Sequence, residues 1–166
     1  MSLYHLAQVN IGRIKAELDD PVMHGFVSRL EELNALADNA PGFVWRLQTP
    51  EGNATYLRPW EDRRMLLNMS VWESIEVLKH YVYKTAHAKM LPQRHEWFER
   101  LSSVIVALWW VPVGHTPSID EAKKRLAHLE AHGPNQFAFT FRTIFPPDEK
   151  FQQSIDWASF QPCPAT

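Results

Sequence analysis

The sequence predicts an α+β domain built on an antiparallel sheet. Short segments alternate apolar and polar residues with the period of a strand, and the segments between them repeat apolar residues at helical spacing. The seven tryptophans are spread along the 166 residues rather than gathered in one repeat. Large aromatics serve cores, interfaces or the walls of a flat ligand pocket, and a buried indole N–H needs a partner.

Leu3 to Ile11 alternates as a first strand, with Leu6, Gln8 and Asn10 on one side and Ala7, Val9 and Ile11 on the other. Asp20 is an N-cap with Pro21 at the first helical position. Val22, Phe26, Leu30, Leu33 and Ala37 then form one apolar stripe that ends before Pro41-Gly42. Phe43 to Gln48 reads as the second strand, with Phe43, Trp45 and Leu47 opposite Val44, Arg46 and Gln48. Pro50-Glu51-Gly52-Asn53 is turn chemistry and opens a loop to Arg64. Leu66 to Trp72 is the third strand, with Leu67, Met69 and Val71 on one side and Asn68, Ser70 and Trp72 on the other. Ser74 caps a second helix through Leu78, Val82 and Ala86. That helix is predicted to break near Leu91, because an interior proline such as Pro92 costs about 3 kcal/mol. Val104 to Val111 is a fourth strand, apolar on both faces. Ser118-Ile119-Asp120-Glu121 has capping-box spacing and opens a helix to His132, which Gly133-Pro134 ends. Phe137 to Arg142 alternates as a last strand. Residues 1–145 thus form the domain, and 146–166 an irregular tail that wraps the domain or a partner.

The order β-α-β-β-α-β, with a further α-β unit, is the ferredoxin-like arrangement: an antiparallel sheet with helices on one face. Alternation assigns Val9, Phe43, Met69 and Phe139 to the layer under the helices. The opposite face then carries Gln8, Asn10, Arg46, Gln48, Asn68, Ser70, Thr140 and Arg142, with Trp72 and one of Trp109 or Trp110. A face so aromatic is not left bare to water, and its polar groups are not buried without partners. Two such sheets pressed together meet both demands, so a homodimer is expected.

Hydrophobic residues make up 45% and charged residues 22%, a globular balance, and the net charge of −2 argues against nucleic acid or an anionic membrane as partner. Cys163, the lone cysteine, excludes an internal disulfide or a thiolate metal site. The N-terminal residues lack the basic and apolar regions of a leader, and Val104 to Val113 falls short of the roughly 20 residues a membrane helix needs. A cytoplasmic location is expected. His128 and His132 have the spacing of a two-histidine clamp, but no third ligand accompanies them, so no metal site is predicted. Gly-rich phosphate loops, nucleophile elbows and paired-carboxylate signatures are missing.

Five blocks in order resemble an uncharacterised family, the domain of unknown function 3291 family. They are Leu6-Ala7-Gln8-Val9-Asn10, Gly42 to Gln48, Gly52-Asn53-Ala54-Thr55, Asn68 to Ser74 and Leu108-Trp109-Trp110-Val111-Pro112, within Leu3 to Phe145. That family is similar in fold to the dimeric α/β-barrel superfamily of antibiotic-biosynthesis and haem-degrading monooxygenases. The resemblance implies the fold and dimerisation, and it opens two chemistries: a monooxygenase-like enzyme acting on an aromatic or polycyclic small molecule, or haem binding. The alternative is a non-catalytic dimeric barrel, structural or binding a small apolar or aromatic ligand. Haem-degrading members carry a first-strand asparagine, a helix tryptophan and an iron-ligating histidine, which correspond here to Asn10, Tyr81 and His87. Tyr81 is not tryptophan, and the spacing to His87 is about one helical turn short. In cofactor-independent members an amide or arginine steadies the substrate oxyanion, a role that fits Arg94. The candidate catalytic residues are therefore His87, Asn10 and Arg94. Asn68, Trp72, Tyr81, Tyr83, Trp97 and Trp109 are the candidate ligand-binding residues.

Overall fold

The computed structural model describes residues 2–55 and 57–160, so Cys163 lies outside the described residues. In chain order the elements are β1 (Tyr4–Arg13), α1 (His24–Asp38), β2 (Phe43–Arg46), β3 (Met65–Trp72), α2 (Ile75–Lys84), α3 (His87–Met90), α4 (Arg94–Trp97), β4 (Val106–Pro112), α5 (Ile119–His132) and α6 (Glu149–Ser154). The antiparallel sheet has the order β2-β3-β1-β4, as the ferredoxin-like reading requires. The long β1 is central, pairing Asn10 with Asn68 of β3 and Ala7 with Trp109 of β4. The Asp20 carboxylate accepts from the Val22 N–H, Ser74 Oγ from Val77 and Ser118 Oγ from Glu121, so all three predicted N-caps form.

Several local expectations are corrected. Beyond Arg46 the chain leaves β2, and the register shifts at Val44. Phe43 therefore sits opposite Trp72 and Trp45 opposite Val71, which puts Phe43 and Trp45 on different faces. The second helix ends at Lys84, well before Pro92. Thr85 takes an extended conformation (φ −111°, ψ −174°), and its hydroxyl bonds back to the Tyr81 carbonyl. Phe137 to Arg142 is not a strand, and among the described residues its only ladder contact is the Leu108–Phe139 bridge. Asn135 Oδ1 accepts from the Phe137 N–H at 2.9 Å, and the Phe137 carbonyl accepts from Arg125 at 2.8 Å, so these backbone groups are satisfied away from a neighbouring strand. The tail is not wholly irregular either. Asp148 caps α6, and Gln152 and Trp157 fold back to bury themselves against the domain.

The largest correction concerns which face lies under which helix. Ala7, Val9, Leu67, Met69, Val71, Ala107 and Trp109 pack against Ala122, Leu126 and Leu129 of α5, not against α1 and α2. Burying each Val, Leu or Met among them contributes roughly 1.5–3 kcal/mol. The layer is pinned by Glu121, fully buried, which accepts from Trp109 Nε1 at 2.8 Å, faces His115 Nε2 at 2.7 Å and lies 3.5 Å from Arg125. Burial pushes the Arg125 guanidinium down to about 10 against the pull of Glu121, and its cation sits 3.9 Å from the Phe137 ring centroid. The predicted ferredoxin-like helices α1 and α2 lie instead on the face of Gln8, Asn10, Asn68, Ser70 and Trp72. There Leu6, Trp72, Leu108, Trp110, Phe139 and Phe43 pack with Ala37, Ile75 and Leu78. Both sheet faces are thus covered within one chain, and the polar face is interior rather than a bare surface. Among the described residues no helix is long and apolar enough to cross a membrane.

Candidate functional site

Between that polar face and the helices the chain leaves a cavity of about 360 Å³. Its origin is readable residue by residue. Small polar side chains at Gln8, Asn10, Asn68 and Ser70 do not reach the helical layer, while the α1 stripe of Phe26, Leu30 and Leu33 forms the roof. Asn68 is exposed although Leu67 and Met69 beside it are buried, so a polar side chain on a central strand faces open space inside the fold. At one end Gly12 lets the opposite wall approach β1. A Cβ there would lie 2.6 Å from Phe98 Cδ1 and 2.9 Å from an Arg94 guanidinium nitrogen.

Trp72 and Tyr81 form a stacked wall, centroids 5.0 Å apart and planes at 30°. The Trp72 indole donates to Ser70 Oγ at 2.9 Å, and Ser70 Oγ lies 3.5 Å from the Gln8 amide. The Tyr81 hydroxyl donates to the Leu33 carbonyl at 3.2 Å, which ties α2 to α1, and burial pushes its phenol up to about 12. The helix break at Thr85 turns His87 inward to line the cavity, with its ring 5.1 Å from that of Tyr81. Burial lowers the His87 pKa and the Val82 carbonyl, 3.3 Å from Nδ1, partly opposes it. A neutral imidazole with its proton on Nδ1 leaves Nε2 as an acceptor.

Arg94 reaches across to donate to the Ile11 carbonyl at 3.1 Å, with its guanidinium 4.6 Å from the Phe98 ring centroid, and burial lowers its pKa. It is not paired with Glu96 or Glu99. Glu99 bonds Arg13 and Arg64 instead, and among the described residues Arg94 makes no ion pair. Arg46, the other arginine lining the cavity, is neutralised by Asp38 at 2.7 Å and donates to the Gly52 carbonyl at 2.8 Å. Among the described residues no carboxylate lines the cavity. Asn10 Oδ1 is buried without a hydrogen-bond partner, a state that costs about 1–3 kcal/mol.

The structure brings Asn10, Asn68, Trp72, Tyr81, His87, Arg94 and Trp97 to this one cavity, with Tyr83 half-exposed at its rim against Phe141. Trp109 does not join them. It is fully buried on the other face of the sheet, with its indole committed to Glu121. Sequence reasoning missed Gly12, Arg46, Asn53 and Phe98, and it assigned the α1 stripe to packing. The alternation of β1 puts Gly12 in line with Gln8 and Asn10, which is the signal that points to it. The rings of His128 and His132 are tilted at 44° with centroids 4.5 Å apart, and His128 bonds Asn135; among the described residues no three metal-ligating side chains cluster.

Haem does not fit this cavity. His87 supplies an imidazole of the right tautomer, but a dry cavity of roughly 150 Å³ takes one benzene, so four pyrrole rings need on the order of 600 Å³. Two propionates would also meet only one arginine without a carboxylate partner, Arg94.

Residues 5–155 match the family Domain of unknown function (DUF3291), and the chain belongs to it. No curated protein matches the sequence. Among solved structures, the chain is similar to a protein of unknown function from Nitrosomonas europaea, with 8% identity over 69% of this chain and 94% of that one and a TM-score of 0.45. It is also similar to a Chloroflexus aurantiacus J-10-fl protein named provisionally as an antibiotic biosynthesis monooxygenase, with 14% identity, 69% and 98% coverage and a TM-score of 0.41.

Proposed function

We propose that this DUF3291 protein binds a flat, largely apolar small molecule in the cavity between its sheet and α1. The observation that carries this is the cavity itself: about 360 Å³, walled by the Trp72–Tyr81 stack and roofed by aliphatic side chains, with a few convergent polar groups. At roughly 150 Å³ for one benzene, that volume suits a body of about two fused rings. Titration calorimetry with naphthalene tests it. Wild-type protein should bind naphthalene, and Leu33→Trp, which fills the roof, should weaken binding at least tenfold. Wild-type protein that binds no bicyclic hydrocarbon refutes the proposal.

A monooxygenase-like activity is the second reading, and Arg94 favours it. An unpaired, partly buried guanidinium lining the same cavity as neutral His87 and the two asparagines would steady an oxyanion while the imidazole accepts a proton. Oxygen uptake with hydroquinone-type substrates, lost in Arg94→Leu with the fold intact, is the expected result; no uptake with any of them removes this reading. The protein is taken as cytoplasmic, which fractionation checks. The expected homodimer loses its original physical reason, since the face of Gln8, Asn10, Asn68 and Trp72 lies under α1 and α2 of the same chain. A dimer in sedimentation at micromolar concentration would use another surface, and the cavity is walled without it.

A further inference from the structure

The cavity floor holds an arrangement that an apolar ligand alone does not use. Asn10 and Asn68 face each other directly across β1 and β3. Directly opposed residues of an antiparallel pair have Cβ atoms about 4.5–5.5 Å apart and share one face. Among the described residues neither side-chain amide has a hydrogen-bond partner in the protein. The Asn10 oxygen is buried and unpartnered while its nitrogen is not buried, and Asn68 is open to the cavity. A half-turn about the terminal torsion exchanges oxygen and nitrogen within the same space, so each amide presents either a donor or an acceptor.

The other polar groups of the floor are already engaged. Ser70 takes the Trp72 indole and lies against Gln8, and Arg46 is held by Asp38. Two adjacent neutral amides, flanked by an aromatic stack and with no carboxylate along the lining, are complementary to an edge carrying a donor and an acceptor side by side. An amide tilted to offer its oxygen receives the ligand N–H, and its neighbour's N–H₂ meets the ligand carbonyl. The Asn10 nitrogen is the atom left unburied, so its N–H₂ meets the ligand carbonyl while the exposed Asn68 amide turns its oxygen to the ligand N–H.

We propose that Asn10 and Asn68 together recognise a cyclic-amide edge, an N–H next to a C=O, on a planar bicyclic heterocycle of the lactam or imide class. This rests on the cavity being the binding site and adds the chemistry of its ligand. A hydrocarbon of the same size then enters the cavity but wastes the floor, whereas a lactam uses it. Sites built to hydrogen-bond a polar group discriminate strongly against analogues that lack it, because the site's own polar atoms are stranded.

Calorimetry with three probes of nearly equal size tests this: naphthalene, 2-quinolinone and N-methyl-2-quinolinone. The expected result is 2-quinolinone binding wild-type protein at least tenfold more tightly than either of the others. Asn68→Leu should erase the preference of the site for 2-quinolinone over its N-methyl form. If naphthalene binds and 2-quinolinone shows no advantage over its N-methyl form, the amide-edge proposal is overturned and the cavity stays a ligand site. If none of the three binds, both fall together. The wild-type comparison needs no variant, so a poorly folded mutant leaves the outcome decided.

Discussion

The two faces of one sheet have been put to opposite uses. On the α5 side, Val9, Met69 and Trp109 meet Ala122, Leu126 and Leu129 with no accessible surface left at Val9 or Trp109, and the Trp109 indole N–H is bonded to a buried carboxylate. On the α1 side, the alternate residues of the same strands, Gln8, Asn10, Gly12 and Asn68, leave about 360 Å³ unfilled and an oxygen unpaired. Close packing makes the first face the source of stability, even though Arg125 Nε is buried there without a partner. The second gives up packing at positions where it holds convergent polar groups, the trade expected of a binding site.

The largest expected effect lies on the packed face. Glu121→Ala strips the partner from Arg125, which is wholly buried, and from the Trp109 indole. Breaking a buried pair from one side costs about 3–5 kcal/mol, measured by urea denaturation, and naphthalene affinity of the folded fraction should be unchanged. Next comes Gly12→Ala on the open face. Its methyl would fall within 2.6 Å of Phe98, so overpacking should cost about 1–3 kcal/mol and also disturb Arg94, weakening binding of a bicyclic probe. Asn68→Leu should leave stability within about 0.5 kcal/mol of wild type, because the side chain is exposed to the cavity and holds nothing in place. A large loss there would show that the open face is structural, and the comparison would break.

The smallest effect is a pH slope. Burial holds the folded pKa of His87 below its ordinary value of 6.5, so below that pH the unfolded chain binds more protons and stability falls as pH drops, levelling off beneath the folded pKa. Above 6.5 both states are neutral at this site and it contributes no slope. His87→Gln should flatten this part of the urea-midpoint profile. An unchanged profile would mean that the imidazole is not held inside.

Much of this contrast was legible in the alternation of β1 and β3, which sorted Gln8, Asn10, Asn68 and Trp72 from Val9 and Met69 correctly. Which helix would cover which set was not. The α1 stripe and the α5 stripe are both amphipathic, and nothing local to Phe26 or Leu126 says which face of the sheet each meets. The shift at Val44 likewise breaks a pattern that an uninterrupted strand would have kept, moving Phe43 beside Trp72. His87 was found for its chemistry, but its inward turn depends on Thr85 ending α2, a tertiary outcome that the later Pro92 obscured. Of Trp109 and Trp110, one of which was expected on the polar face, it is Trp110 that lies there. Trp109 was named for the site because β4 is apolar on both faces and periodicity carries no information there.

One measurement compares the two faces within a single spectrum. In a ¹⁵N-resolved NMR titration with 2-quinolinone, the indole N–H of Trp72 and the side-chain amides of Asn10 and Asn68 should shift and saturate together, while the Trp109 indole stays in place. Saturable shifts at Trp109 with Trp72 unmoved, or no saturable shift at either, would contradict the assignment of the α1 face as the binding site.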